Sequence, residues 1–195
     1  RVIHLLPVND TTMTGTWVDT YPYSANSIYA LHPQFVYLPD AGVRRDSSYK
    51  ALKAELEALP ELDYERVNAE KDRLMRKAFS ATWAKVSKSP EYKEFVKVNA
   101  NWLDAYCAFR ILLHKTGTGD TSKWGKYASY SEKKVAAVLA ADRAEADYHA
   151  FVQFHLHMQL VEARDYARKR GVALKGDLPI GVSRTSVDAW QNPSQ

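Results

Sequence analysis

The sequence predicts an α/β fold, a βαβ unit whose two strands are separated by a large, mainly helical inserted subdomain. Two apolar runs and one change of periodicity predict it. VIHLLPV (residues 2–8) is nearly continuous in apolar residues and is halted by Pro7, the pattern of a strand buried on both faces of a parallel sheet. VALKGDLPIGV (residues 172–182) repeats that pattern directly after a long helical segment and one glycine, Gly171. Between them the apolar spacing changes to three and four over a stretch far longer than a plain crossover needs, which places a helical subdomain above the sheet.

The elements follow in order. NDTTMTGTWVDTYPYSANS (residues 9–27) is rich in Asn, Asp, Thr, Gly and Pro and has no period, so it reads as a long loop leaving the first strand's C-terminal end. Helical spacing begins at Ser47 and continues to about Lys115, with Leu52, Leu56 and Leu59 in one segment and Val67, Leu74, Phe79 and Trp83 in the next. Pro60 and Pro90 punctuate it. KTGTGDTSKWGKYASYS reads as a loop and SEKKVAAVLA as a short helix. Asp142 and Glu145 have the spacing of a capping box at the start of a long helix. On that helix Tyr148, Phe151, Val152, His155, Gln159, Ala163 and Tyr166 share one side; Arg168, Lys169 and Arg170 suit its negative end, and Gly171 its C′ position. The expected division is residues 1–38 for the first strand and tyrosine-rich loop, 39–141 for the helical insertion, and 142–195 for the long helix, second strand and following loop.

Composition bounds the function. At 195 residues, with 46% hydrophobic and 26% charged residues, the chain is long enough for one core and unlike a disordered sequence. No apolar run approaches the roughly 18 residues that cross a bilayer, and the first residues lack a signal-peptide pattern, so a cytoplasmic protein with no membrane partner is expected. Cys107 is the single cysteine, which excludes an intrachain disulfide and Cys-rich metal frameworks and reads as a buried, inert thiol. The 27 basic residues interleave with 23 acidic ones for a net charge of +4, a mildly basic solvated surface with no expected nucleic-acid partner. The chain starts at Arg1 inside an apolar run and stops just after an Asn-Pro pair, and is expected to be cut from something larger.

Four features invite a chemical reading. GTGDTSKWGK is not a phosphate loop: five residues separate Gly119 from Gly125, and Tyr127 stands where Ser or Thr is needed. His149, His155 and His157 do not form a metal site, because residues two apart on a helix point to nearly opposite sides and His149 is more than a turn away; they read as packing histidines. Trp17, Tyr21, Tyr23 and Tyr29 crowd one loop with Asp19, Asn26 and Ser27. Flat aromatic faces stack on sugar rings while amides and carboxylates bond the hydroxyls; against this stands a core role for Tyr29 and Phe35. Asp177 falls near the end of the second strand, where α/β enzymes hold ligand groups, and equally where a turn aspartate accepts backbone N–H bonds.

Taken in order, VIHLLPVNDT, WVDTYPYSANSIYALHP and VQFHLHMQLVEARDYARKRGVALKGDLPIGVSRTSVDAW resemble the 4-α-glucanotransferases of the amylomaltase and disproportionating-enzyme family, glycoside hydrolase family 77. The closer match is to the type first described as cytosolic in plants and also found in bacteria, which shares GVSR after GDLPI and a WGKY-like loop. The resemblance covers nearly the whole chain and is strongest over residues 1–37 and 148–193. It implies a partial (β/α)8 TIM barrel of two to three barrel strands, with VIHLLPV and the GDLPI segment similar to the family's second and third.

The implied reaction is retaining transfer of α-1,4-glucosyl units from maltose or maltodextrin to a glucan: an aspartate attacks the anomeric carbon, a glutamic acid protonates the leaving sugar, and a second sugar resolves the intermediate. No cofactor is implied. Tyr23 in YPYS resembles the tyrosine that lines the sugar site, and Asp177 in GDLPI the aspartate beside the catalytic carboxylates; Tyr21, Asp10 and Arg184 are further cleft candidates. Asp188 and Trp190 look structural. The nucleophile, acid/base and third carboxylate are expected downstream of SVDAW, so no catalytic residue is assigned here and the chain alone is expected to be inactive, as a closed barrel takes about 250 residues. A non-catalytic carbohydrate-binding or scaffold module, for which Trp17 and the tyrosines suffice, is the reading from a different class.

Overall fold

Helices dominate, and local chemistry sets most of their boundaries in the computed structural model, which describes residues 1–194. α1 (Ser47–Glu57), α2 (Tyr64–Val86) and α3 (Pro90–Val98) each begin at a residue whose side chain accepts a backbone N–H of the first turn: Asp46 from Tyr49, Asp63 from Arg66 and Ser89 from Tyr92. Pro90 takes the first helical position, where the missing N–H costs nothing. α4 (Leu103–Thr116) stops at Gly117, whose φ of 67° favours glycine. α5 (Glu132–Ala141) is capped by Ser131, and the short α7 (Val187–Gln191) by Ser186.

The long helix α6 (Arg143–Lys169) ends as the sequence predicts. Val172 N–H reaches the Ala167 carbonyl, Gly171 N–H reaches that of Arg168, and Gly171 has φ 68°, the paired bonds of a Schellman ending. Its start differs from expectation: the Asp142 side chain makes no cap bond. That carboxylate faces Lys115 Nζ at 3.2 Å, while Glu145 holds the Arg76 guanidinium through two bonds of 2.7 and 2.9 Å. Ion pairs to α4 and α2 have displaced the local box.

Two apolar clusters form the core. The larger gathers α4 residues such as Tyr106, Phe109 and Ile111 with Tyr92, Phe95, Trp124, Val138, Phe154, Val187 and Trp190; the smaller joins Val36, Leu38 and Met75 to Tyr148, Phe151 and Leu156. α6 contributes to both, so residues from all three expected segments share the core. Full burial of a ring such as Phe151 stabilises by about 2–3 kcal/mol. The α6 stripe is buried only in its first half: Tyr148, Phe151 and Val152 are inside, but Ala163 and Tyr166 are exposed, and the Arg170 guanidinium lies over the Tyr166 ring.

β1 (Val2–His4) and β2 (Ala173–Lys175) pair in parallel, Val2 opposite Ala173 and His4 opposite Lys175. The order β1, helices, β2 is the expected βαβ unit. Both strands are shorter and barer than their apolar runs predict: Val2 is 64% and Ile3 50% exposed, since α6 packs beside β2 and nothing among the described residues covers β1. The ladder closes with Leu5 N–H on the Lys175 carbonyl. GDLPI therefore lies past the strand, not in it, with Leu178 and Ile180 exposed. A paired strand needs a hydrogen-bonded neighbour; the last bond between the two segments among the described residues is that of Leu5, and Pro7 has no N–H to give.

Candidate functional site

The loop after β1 is closed at its neck like a clasp. Asp10 N–H bonds the Ala30 carbonyl, His32 N–H bonds that of Val8, and Asn26 N–H bonds that of Asp10. Gln153 on α6 grips the returning strand of the neck through both backbone groups of Leu31, accepting from its N–H and donating to its carbonyl, each at 2.8 Å. Gln159, two turns on, grips Tyr37 in the same manner at 2.8 and 3.0 Å. Sequence reasoning passed over Gln153; its signal is a lone amide inside the apolar run FVQF.

Asp10, a cleft candidate in the sequence, is 0% exposed. Its carboxylate accepts the Tyr106 hydroxyl at 2.7 Å and the Thr12 N–H at 2.9 Å, and Arg110 on α4 stands 3.6 Å away. Burial pushes the carboxyl up, but the Arg110 guanidinium, His32 and the bonds from Thr12 outweigh it and hold Asp10 below the ordinary carboxylate range. Its oxygens bolt the neck to α4 and are shut off from the surface.

Asp19, Asn26 and Ser27, grouped in the sequence as sugar-bonding groups, are likewise internal, at 4%, 0% and 1% exposure. Asp19 gathers the backbone N–H groups of Met13, Thr14 and Gly15 and the Thr14 hydroxyl. Ser27 Oγ accepts from Tyr29 and Ala30, and Asn26 Nδ2 donates to Thr12. Short polar side chains in a loop this long are needed to satisfy its own backbone.

With the polar groups turned inward, the rings are left outside. Trp17 is 70%, Tyr21 60% and Tyr29 50% exposed. Tyr23 is half-buried, 5.6 Å from the Tyr21 ring with the planes at 50°. Its hydroxyl donates to Asp177 Oδ2 at 2.7 Å, a contact between residues at opposite ends of the chain. Asp177 sits two residues beyond β2. The bond to Asp177 raises the Tyr23 phenol above its usual pKa, so it stays a protonated donor at neutral pH. The Tyr23 oxygen keeps its acceptor lone pairs and the Asp177 carboxylate its second oxygen, and the tilted Tyr21 ring stands beside them.

Arg184 is apart from this pair, exposed along a groove with Tyr29 and Asp188. Asp188 and Trp190 hold structure: Asp188 Oδ2 accepts the Ile28 N–H at 3.0 Å, and Trp190 is buried with its indole N–H on the Tyr127 carbonyl. Cys107 is buried, and burial pushes its thiol far up. His155 packs on Phe151 and Phe154, and His157 on Phe95. Among the described residues no group of three or more His, Cys, Asp or Glu is placed to hold a metal, and no helix is long and apolar enough to cross a membrane.

The family profile described as 4-alpha-glucanotransferase, glycoside hydrolase family 77, matches residues 1–195. The chain belongs to this family. It is 41% identical to the 4-alpha-glucanotransferase DPE2 of Oryza sativa subsp. japonica over 100% of its own length and 21% of that protein's. With a 4-alpha-glucanotransferase of Chlamydia pneumoniae it shares 29% identity over 97% of its length and 36% of the relative's. The chain thus spans well under half of the curated relatives it matches. Its backbone resembles that of an amylomaltase from Streptococcus agalactiae, solved in complex with acarbose, with a TM-score of 0.78 at 20% identity over 99% of this chain and 39% of that one. The chain thus has a mostly helical α/β fold with a small parallel sheet, similar to that of this amylomaltase.

Proposed function

We propose that this chain is one segment of a 4-α-glucanotransferase and supplies part of its donor-sugar site. The supporting observation is the Tyr23 hydroxyl on Asp177 at 2.7 Å, which brings together the two residues that the family resemblance singles out from opposite ends of the sequence. In this reading β1 and β2 are neighbouring strands of a (β/α)8 barrel, and the Tyr23 loop and Asp177 both leave strand C-termini on the face where barrel enzymes bind substrate. Residues 39–141 form a family-specific subdomain beside the cleft. Tyr21 and Trp17 offer faces to neighbouring glucose units.

The reaction proposed for the whole enzyme is retaining transfer of α-1,4-glucosyl units from maltose or maltodextrin to a glucan acceptor, in the cytosol and without a cofactor. This segment would orient the donor and exclude water; the nucleophile and the acid/base would come from the part of the enzyme outside it, in keeping with relatives several times longer. Asp177 is then a supporting carboxylate that fixes Tyr23 and a sugar hydroxyl together.

The test compares two proteins. The full-length enzyme incubated with maltose and glycogen releases glucose, and the 195-residue chain under the same conditions does not. Transfer by the chain alone would show that the machinery is inside it. A second reading, a non-catalytic carbohydrate-binding module, draws on the exposed Trp17 and Tyr21, and is selected if the full-length protein binds maltodextrin without transferring it.

A further inference from the structure

Tyr29 and Arg184 line a groove of about 780 Å³, within the range of about 300–1,000 Å³ common to ligand pockets. Neither Tyr23 nor Asp177 lines it. Its floor includes Tyr29, whose ring stacks on Trp102 with centroids 6.0 Å apart and planes at 12°. Trp102 is buried and Tyr29 is 50% exposed, so one face of the tyrosine is braced from behind and the other is open. Asn101, Gln191, Asn192 and the exposed Arg184 stand around it. Three amides and a guanidinium offer donors and acceptors beside the Asp188 carboxylate, which also lines the groove; Gln191 and Asn192 already donate to the Asn101 and Asp188 carbonyls and keep their amide oxygens.

The groove is also built on fixed parts. The Ile28 N–H is held by Asp188 Oδ2 at 3.0 Å, and the Val187 N–H bonds the Asn26 carbonyl at 2.8 Å, tying α7 to the loop that carries Tyr29. The two walls therefore keep their spacing when the groove is empty, which lowers the ordering cost of binding.

We infer that this groove is a second α-glucan contact, distinct from the Tyr23 and Asp177 pair, in which Tyr29 stacks on a glucopyranose face and Asn101, Gln191, Asn192 and Arg184 bond its hydroxyls. The inference rests on the glucan-directed reading above and extends it: Arg184 belongs to this groove and not to the donor pair. Two separate contacts on one loop would let a long glucan hold on at both, so longer chains bind more tightly than maltose.

The experiment is a titration of the chain with maltoheptaose, followed through the side-chain amide NMR signals of Asn101, Gln191 and Asn192 and the backbone signals of Tyr23 and Asp177. Saturable shifts at the three amides are expected, and Tyr29→Ala should weaken the fitted affinity about tenfold, the worth of one stacked ring, while Tyr29→Phe keeps it. Tyr29→Ala removes a ring that leans on Trp102, so the amide shifts of the unaltered chain decide the matter if that variant fails to fold. Shifts confined to Tyr23 and Asp177 overturn the groove and leave the donor-site reading standing. Shifts at the groove amides alone uphold the groove and count against the donor site. Absence of shifts at the amides, or an unchanged affinity in a folded Tyr29→Ala, ends the inference.

Discussion

Replacing Asp10 separates a structural carboxylate from a sugar ligand. Asp10→Ala takes the acceptor from the Tyr106 hydroxyl at 2.7 Å and the Thr12 N–H at 2.9 Å, and leaves Arg110 without the carboxylate 3.6 Å away. Removing one partner of a buried pair costs about 3–5 kcal/mol because the other charge is stranded. At about 2–4 °C per kcal/mol for a chain of this size, the melting temperature should fall by on the order of 10 °C. Asp10→Asn keeps an acceptor for two of the three donors and should cost about 1–3 kcal/mol. Because Asp10 titrates below its unfolded value of about 3.9, the unfolded state binds more protons as the pH drops below that value. The stabilisation is thus complete above it and is lost as pH falls through the folded pKa; Asp10→Asn should remove this acid step. The assay is thermal unfolding by circular dichroism at pH 7 and across the acid range. A melting temperature for Asp10→Ala within about 2 °C of the parent would refute the reasoning, and a loss of maltodextrin binding in that unshifted protein would return Asp10 to the cleft.

Two further predictions come from buried groups on the helices. His155 Nε2 is buried without a partner among the described residues, and burial pushes the imidazole down to about 4; between pH 6.5 and 4 the unfolded chain binds the extra proton, so stability falls on acidification by up to about 3 kcal/mol. Urea midpoints at pH 7.5 and 4.5 should show that loss, and His155→Leu should shrink it; equal pH dependence in both proteins contradicts the assignment. Cys107 is enclosed by the larger core and its thiol is held protonated, so a thiol reagent should label the native chain only as fast as it unfolds. Rapid stoichiometric labelling at pH 8 would show that α4 is not packed as described.

Legibility in the sequence divides along physical lines. The helices were readable because spacing, proline and caps are local: Ser47 and Pro90 open their helices, and Gly171 lies two residues past the end of α6. The strands were overread because an apolar run reports a preference for burial, whereas the length of a strand is set by its partner, and β1 loses its partner after Leu5. Polar loop residues were the hardest. Asp10 and Asp177 both follow a strand, look alike in sequence and accept a tyrosine hydroxyl, yet one is sealed against α4 and the other is half-buried on a loop. Only long-range packing tells them apart. Family resemblance supplied the pairing of Tyr23 with Asp177 as site residues, and no periodicity could have supplied their contact. Gln153 is marked in the sequence only as a lone amide inside FVQF, and the backbone it grips, at Leu31, is 122 residues away.

The most direct measurement is a double-mutant cycle on glucose release from maltose in the full-length enzyme, using Tyr23→Phe, Asp177→Asn and the pair together. If the hydroxyl and the carboxylate act as one unit on the donor sugar, each single change lowers kcat/KM by about tenfold, one charge-assisted hydrogen bond's worth, and the double variant is no slower than the slower single. Unchanged rates in both singles, or a double variant whose loss is the product of the two, would contradict the account.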